Sequence, residues 1–196
     1  MTVYIKRHQV ETDHVDQVIN LLYSTDPDLH QLGFGKKSRA ILAQCIEKGC
    51  SYFSPKYLYA VRSNQKFAGI TIFYSIKKVH ELNQLNNAVV KQALSKFDYY
   101  SKKHLNTKIS DLFSGEIPDD YYYIHCLAIE PQCQRQGLGS KVLQSLKQRY
   151  ARLALYVNER NERAMRFYLK NGFRVAYHAQ MRHRGKSYGV YLMLLE

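Results

Sequence analysis

Apolar residues change period several times along the chain, and each change predicts an element. Val3 to His8 reads as a strand. Asp13 is placed as a helix N-cap before Val15, Val18, Ile19 and Leu22, which recur at three- and four-residue steps. A second amphipathic helix is predicted from about Lys37 to Lys48, with Ile41, Cys45 and Ile46 inward and Gly49 as its stop. Tyr57 to Val61 and Phe67 to Ile76 are β-rich runs joined by the polar turn Ser63-Asn64-Gln65-Lys66, the pattern of a hairpin.

Between Lys77 and Asp120 the character differs. Val79, Leu82, Leu85, Val89, Val90, Leu94 and Phe97 keep helical spacing, so one amphipathic helix is expected there, followed by a polar, turn-rich stretch from Ser101 to Asp120. The region is too short for a core of its own. It is therefore read as a helical insertion at about 77–120 within a single domain spanning 1–196.

Beyond it, Tyr121 to Ile129 and Leu153 to Val157 are near-continuous apolar runs, the signature of buried strands. Gly137 opens a helix carrying Leu138, Val142, Leu143, Leu146 and Tyr150. A short helix from Asn161 to Lys170 ends at Asn171-Gly172. Phe173 to Arg182 and Tyr188 to Leu195 form a hairpin around His183-Arg184-Gly185-Lys186. The order is β-α-α-β-β-(insertion)-β-α-β-α-β-β. Two apolar strands joined through a helix should pair in parallel by a right-handed crossover, which makes the fold a mixed α/β sheet.

Composition narrows the function classes. The chain has 196 residues, 45% apolar and 23% charged, values of a globular domain. No apolar run approaches the roughly 20 residues that span a bilayer, and charge at Lys6 and Arg7 precedes any signal-type segment. A cytoplasmic protein, neither secreted nor membrane-embedded, is expected. Cys45, Cys50, Cys126 and Cys133 match no zinc spacing, so neither a metal nor a disulfide framework is expected. Net charge is +13, and Pro131 to Glu196 holds 13 Lys and Arg against three acids. Such a basic half suits a polyanionic partner or a ligand with several phosphates, and equally a solvated surface with no single partner. No helix-turn-helix, zinc or RNA-binding signature accompanies the charge, so nucleic acid is not the expected partner.

The chemistry concentrates in Pro131-Gln132-Cys133-Gln134-Arg135-Gln136-Gly137-Leu138-Gly139-Ser140-Lys141, which joins a buried strand to an amphipathic helix. Its backbone N–H groups lie at the positive end of a helix dipole, where phosphate is favoured. Gly137 and Gly139 either let a phosphate approach the backbone or simply shape a tight turn. A P-loop is excluded, because no Gly-Lys-[Ser/Thr] follows. So is a dinucleotide fingerprint, because Val142 occupies the place of the third glycine.

Gln134-x-x-Gly137-x-Gly139 resembles the [Q/R]-x-x-G-x-[G/A] signature of the GNAT (Gcn5-related) N-acetyltransferases, and Leu127-Ala128-Ile129-Glu130-Pro131 resembles that family's L-A-V-x-P lead-in. A second block, Val157 with Asn161-x-x-Ala164-x-x-Phe167-Tyr168 and Asn171-Gly172-Phe173, is similar to the family's N-x-x-A-x-x-x-Y-x-x-x-G-F pattern. The two blocks in order cover roughly Tyr121 to Val175. The resemblance implies a GNAT-like, largely antiparallel sheet with one splayed parallel strand pair, flanked by helices.

It further implies an enzyme that moves acetyl from acetyl-CoA directly to a primary amine, without an acyl-enzyme or a metal, as a monomer or homodimer. The pyrophosphate would lie on the amides of Gln134, Arg135, Gln136, Gly137, Leu138, Gly139 and Ser140. The backbone of Leu127, Ala128 and Ile129 would pair with the pantetheine arm, the Ile129 N–H polarising the thioester carbonyl, and the Asn161 side chain would bond the same arm. Tyr168 is the candidate general acid, or a packing residue; reference pKa values near 8.5 for a thiol and 10 for a phenol make the transfer useful. His125-Cys126-Leu127-Ala128-Ile129 resembles the H-x-L-A-V stretch of aralkylamine N-acetyltransferases. His125 is therefore the candidate base for the acceptor, with water or a core role as the alternatives. Strand alternation is expected to set Tyr123, His125 and Leu127 on one face. The acceptor is expected to be a small-molecule amine, with Phe97-Asp98-Tyr99-Tyr100 shaping its pocket. A protein or peptide acceptor lying in a groove edged by the insertion is the alternative, and a non-catalytic CoA- or nucleic-acid-binding module the third.

Overall fold

The computed structural model describes residues 3–7, 15–49 and 51–196. The proposed cap Asp13, the end of the first strand at His8 and Cys50 lie outside them. Strand β1 (Val3–Arg7) leads to α1 (Val15–Thr25), which buries Val18, Ile19, Leu21 and Leu22 on one stripe. Next comes α2 (Pro27–Phe34), an element the apolar pattern did not show. It is set by local chemistry: Asp26 Oδ1 accepts from Leu29 N at 3.0 Å, and Pro27 fills the first turn, where no N–H is needed. Helix α3 (Ser38–Lys48) buries Ile41, Leu42, Cys45 and Ile46 and ends on Gly49 at φ 59°. Strands β2 (Leu58–Ser63) and β3 (Lys66–Ser75) form the expected hairpin, turning through Asn64 and Gln65 at φ 48° and 65°.

The region expected to carry one helix holds three. Helix α4 (Val79–Ala93) buries Leu82, Val89 and Val90 but stops where Leu94 turns extended, at ψ 150°. Leu94 still packs in the core, whereas Leu85 faces out and Phe97, on α5 (Lys96–Ser101), is 81% exposed. Helix α6 (Lys103–Leu112) occupies the stretch expected to be irregular. Leu105, Ile109 and Leu112, spaced by four and three, form its inward stripe and are the signal that was there to read.

The second half follows its expected order, as β4 (Tyr122–Ile129), α7 (Leu138–Lys147), β5 (Leu153–Asn158), α8 (Glu162–Lys170), β6 (Arg174–His183) and β7 (Lys186–Leu195). The described strands make one seven-stranded sheet in the order β1-β2-β3-β4-β5-β7-β6, antiparallel throughout except for the β4–β5 pair. On one face α1, α3 and α4 cover Leu58, Ile70, Ile72, Cys126 and Ala128. On the other, α7 and α8 cover Phe73, Ile124, Leu155, Val157 and Met193.

Candidate active site

The parallel pair is short. Only Tyr122↔Leu153 and Tyr123↔Ala154 are in register, although β4 runs on to Ile129 and β5 to Asn158. Past Tyr123 the two strands part, and their backbone edges face an opening at mid-sheet.

A β-bulge decides what β4 presents there. Opposite β3, Ile72 pairs with Cys126 and Phe73 with Ile124, so His125 is an extra residue. The bulge shifts the alternation by one. Tyr123 and Cys126 face the α1–α3 side, while Ile124, Leu127 and Ile129 face the α7–α8 side. The expectation that Leu127 shares a face with Tyr123 and His125 is thereby corrected, since one inserted residue reverses every side chain beyond it. The same shift redirects the amides. Glu130 N donates to Ala68 O on β3 at 2.9 Å, so by strand alternation the N–H groups of Leu127 and Ile129 point away from β3, into the opening. The Ile129 carbonyl is held by Gln134 Nε2 at 2.8 Å, leaving its N–H as the available group at that edge.

From Ile129 the chain turns through Pro131–Cys133 and Gln134 to Arg135, at φ 60°, and Gly137, at φ 75°, before α7. A Cβ on Gly137 would meet nothing within 4 Å, so the space above this helix N-terminus is open. Gly139 differs: a Cβ there would lie 3.0 Å from the Phe167 ring, so its lack of a side chain serves the contact of α7 with α8. Leu138 is core, and only its backbone belongs to the loop. Arg135, Gln136 and Ser140 are exposed, and Gln136 Nε2 donates to Gln132 O at 3.2 Å.

Asn161 caps α8, its Oδ1 accepting from Ala164 N at 3.0 Å, which leaves the Nδ2 amide as its donor. Tyr168 is 8% exposed and wedged edge-on against Phe167 and Phe173 at 5.0 and 5.5 Å. Burial, then the nearby Cys126, raises its phenol pKa, so it is a weaker acid than the free side chain. A thiol in the same interior fares alike: burial pushes Cys126 up to about 12.

On the α1–α3 side, half-buried His125 is surrounded by rings: Tyr52 at 4.1 Å, Phe53 at 5.5 Å, Tyr123 at 6.0 Å and Tyr74 at 6.1 Å. Tyr74 Oη lies 3.2 Å from its Nδ1. Burial, with a smaller contribution from His30, pulls the imidazole down to about 3. The setting therefore favours the neutral ring. Sequence reasoning did not find Tyr52, Tyr74 or Tyr156, the last of which lies 6.2 Å from Tyr123. In the Phe97–Tyr100 segment, Phe97 and Tyr100 face solvent, and Tyr99 packs on the same core cluster as Tyr123. A separate groove of about 640 Å³ lies between α6 and the edge strand β6, lined by Lys108, Asp111, Ser114, Tyr177, Met181 and Arg182. Among the described residues no group of three His, Cys, Asp or Glu is gathered as a metal site, and no helix is long and apolar enough to cross a membrane.

Comparison with known proteins adds the following. Residues 106–175 match the family model of the acetyltransferase (GNAT) domain. The fold is similar over 98% of this chain, and all of the other, to an N-acetyltransferase from Staphylococcus aureus Mu50, at 18% identity and a TM-score of 0.68. Apo YjaB from Escherichia coli is similar at 17% identity, with a TM-score of 0.54 over 100% of this chain and 98% of that one. A Bacillus subtilis acetyltransferase solved in complex with CoA follows at 11% identity and 0.51, over 99% and 97%. No curated protein matches the sequence.

Proposed function

We propose that this chain, which carries a GNAT acetyltransferase domain match over residues 106–175 and has the GNAT fold, transfers acetyl from acetyl-CoA to a primary amine. The observation that carries the reading is the opening between β4 and β5, where the Leu127 and Ile129 amides face a gap beside the open N-terminus of α7. CoA in the Bacillus subtilis neighbour supports the same ligand here.

In this reading the amides of Gln134 to Ser140 hold the pyrophosphate, joined by the Arg135 side chain, and Leu127 to Ile129 pair with the pantetheine arm. Asn161 bonds that arm through Nδ2. The amine nitrogen attacks the thioester carbon, and the charge that develops on oxygen meets the Ile129 N–H, a kind of contact worth a few kcal/mol. The C–S bond breaks, Tyr168 gives its proton to the leaving sulfur, and the nitrogen loses its own proton to water. His125, neutral in its aromatic setting, contacts the acceptor. The acceptor is a small-molecule amine, the chain acts as one unit over 1–196 with 77–120 as an insertion, and the cytoplasm is its place of action.

A second reading has one specific observation behind it. Helix α6 of the inserted segment does edge a groove against β6, as an extended peptide acceptor would need. Gly137→Glu tests the common premise, because its bulk and charge would fill the open space above the helix N-terminus. Calorimetry should show acetyl-CoA binding lost in a folded variant, and unchanged affinity would refute the site.

A further inference from the structure

We infer that the outer edge of β6, with the groove beneath α6, is a docking site for an extended acidic segment of a partner protein, which joins the sheet as an added strand. Docking there goes beyond acetyl transfer and does not depend on it. In the described sheet β6 stands last and pairs with β7 alone. The two are joined through Arg184 and Gly185, at φ 49° and 76°, a two-residue turn whose flanking pair, His183↔Lys186, exchanges both hydrogen bonds. From there the pairs alternate. Met181, Ala179 and Tyr177 bond to β7, whereas the N–H and C=O groups of Arg182, Gln180 and His178 turn outward. The Glu159 amide fixes the phase: it donates to Gly189 O at 2.9 Å, so the residue opposite Gln180 gives its carbonyl to β5 and not to β6.

Both faces of the edge are prepared. On the α7–α8 side, His178 Nε2 lies 3.1 Å and Gln180 Nε2 2.6 Å from Glu159 Oε2, so one carboxylate holds two successive outward-bonding residues. That carboxylate rests on Gly189, where a Cβ would collide with it. On the other side Tyr177, Ala179 and Met181 open onto the groove of about 640 Å³ that α6 borders.

Charge chooses the occupant. Asp111 is the one acid among the described lining residues, against Lys108 and Arg182, and Arg184 and Lys186 are exposed just past the strand's end. Among the described residues none of these four cations has an ion-pair partner. A second copy of the chain would set these cations against themselves, within a net charge of +13 on each copy. The bulge at Ala176 and the edge cation Arg182 are likewise devices that keep an edge strand from pairing with its own kind. A strand bearing carboxylates meets the opposite balance. The site lies two strand spacings, about 10 Å, beyond β5, so an occupant leaves the opening between β4 and β5 clear.

The probe is a short peptide of alternating Glu and Val, blocked at both ends so that it offers no amine; its binding is therefore read whether or not acetyl transfer is ever seen. Titrated into the nitrogen-15-labelled full chain, it should shift the amides of His178, Gln180 and Arg182, and bind about 10-fold more tightly than its Lys and Val counterpart. Shifts confined to other amides, or equal affinity for the two peptides, would overturn the docking site. N-methylation of every second peptide residue, tried in both frames, removes the donors that strand pairing needs and should abolish binding in one frame. Adherence by charge alone would survive both frames, and so refute an added strand. Arg182→Glu, at an exposed position, should weaken the acidic peptide about 3- to 10-fold, and an unchanged Kd would remove the charge argument. Shifts of the same amides on concentrating the protein without peptide would give the edge to a second copy and overturn the proposal.

Discussion

Tyr168 carries the sharpest expectation at the scale of a residue. Its raised pKa keeps the phenol protonated, and so able to donate, well past the range of a free tyrosine. Its own titration should therefore produce no alkaline fall in kcat below about pH 10. Tyr168→Phe keeps the edge-on packing with Phe167 and Phe173 and removes only the hydroxyl. We expect kcat to drop about 10- to 1000-fold with acetyl-CoA affinity kept. Near-normal turnover would leave Tyr168 as a packing residue. The sequence placed this tyrosine seven positions after Asn161 but could not show its surroundings, because the cluster that it joins is drawn from β4, α7, β5 and β7 as well as from the nearby Phe167 and Phe173. His125 illustrates the same limit. Its position in β4 was legible; the bulge that makes it an extra residue, and the partner Tyr74 on β3, depend on a register that no local pattern encodes.

At the scale of an element, α8 separates two roles that one side chain combines. Asn161 Oδ1 caps the helix, and Nδ2 is the group assigned to the cofactor arm. Asn161→Ala removes both, and should cost about 1 kcal/mol in thermal or denaturant unfolding besides weakening acetyl-CoA. Asn161→Asp keeps a capping oxygen but supplies no amide. It should unfold like the parent while binding acetyl-CoA more weakly, and equal weakening of stability in the two variants would contradict the division. Elements with a strong period or a clear stop were readable: α1, α3, α7 and the two hairpins stand close to where the pattern put them. Helix α2 was missed although Asp26-Pro27 announces it. The break after Ala93 was missed because helical spacing continues through Leu94 to Phe97, and only the packed structure reveals that Leu94 turns inward while Phe97 does not.

At the scale of the whole molecule, the chain's +13 charge acts on a ligand bearing several phosphates through the solvent as well as by contact. Raising salt from about 0.05 to 0.5 M shortens the reach of those charges from over 10 Å to a few ångströms. Acetyl-CoA affinity should therefore fall with salt, while a neutral competitor confined to the acceptor end should keep its own; calorimetry across the two conditions compares them. The overall sheet was legible because its buried strands are apolar on both faces and its hairpins have short polar turns. The gap at its centre was expected only through resemblance, since nothing in the residues of β5 announces where pairing with β4 stops.

That gap implies an alternating record in time along a single strand. On β4, the amides of Cys126 and Ala128 are engaged with β3 while those of Leu127 and Ile129 point into open space. In deuterated water the unliganded protein should give a comb: neighbouring amides exchanging slowly and quickly in turn, over a stretch too short for local unfolding to tell them apart. Acetyl-CoA, lying along the free edge as an added strand, should slow Leu127 and Ile129 toward the rate of their neighbours and erase the teeth. Site-resolved exchange with and without the ligand would reveal this, and a fast Leu127 or Ile129 in the saturated protein would mean that the ligand does not run along this edge.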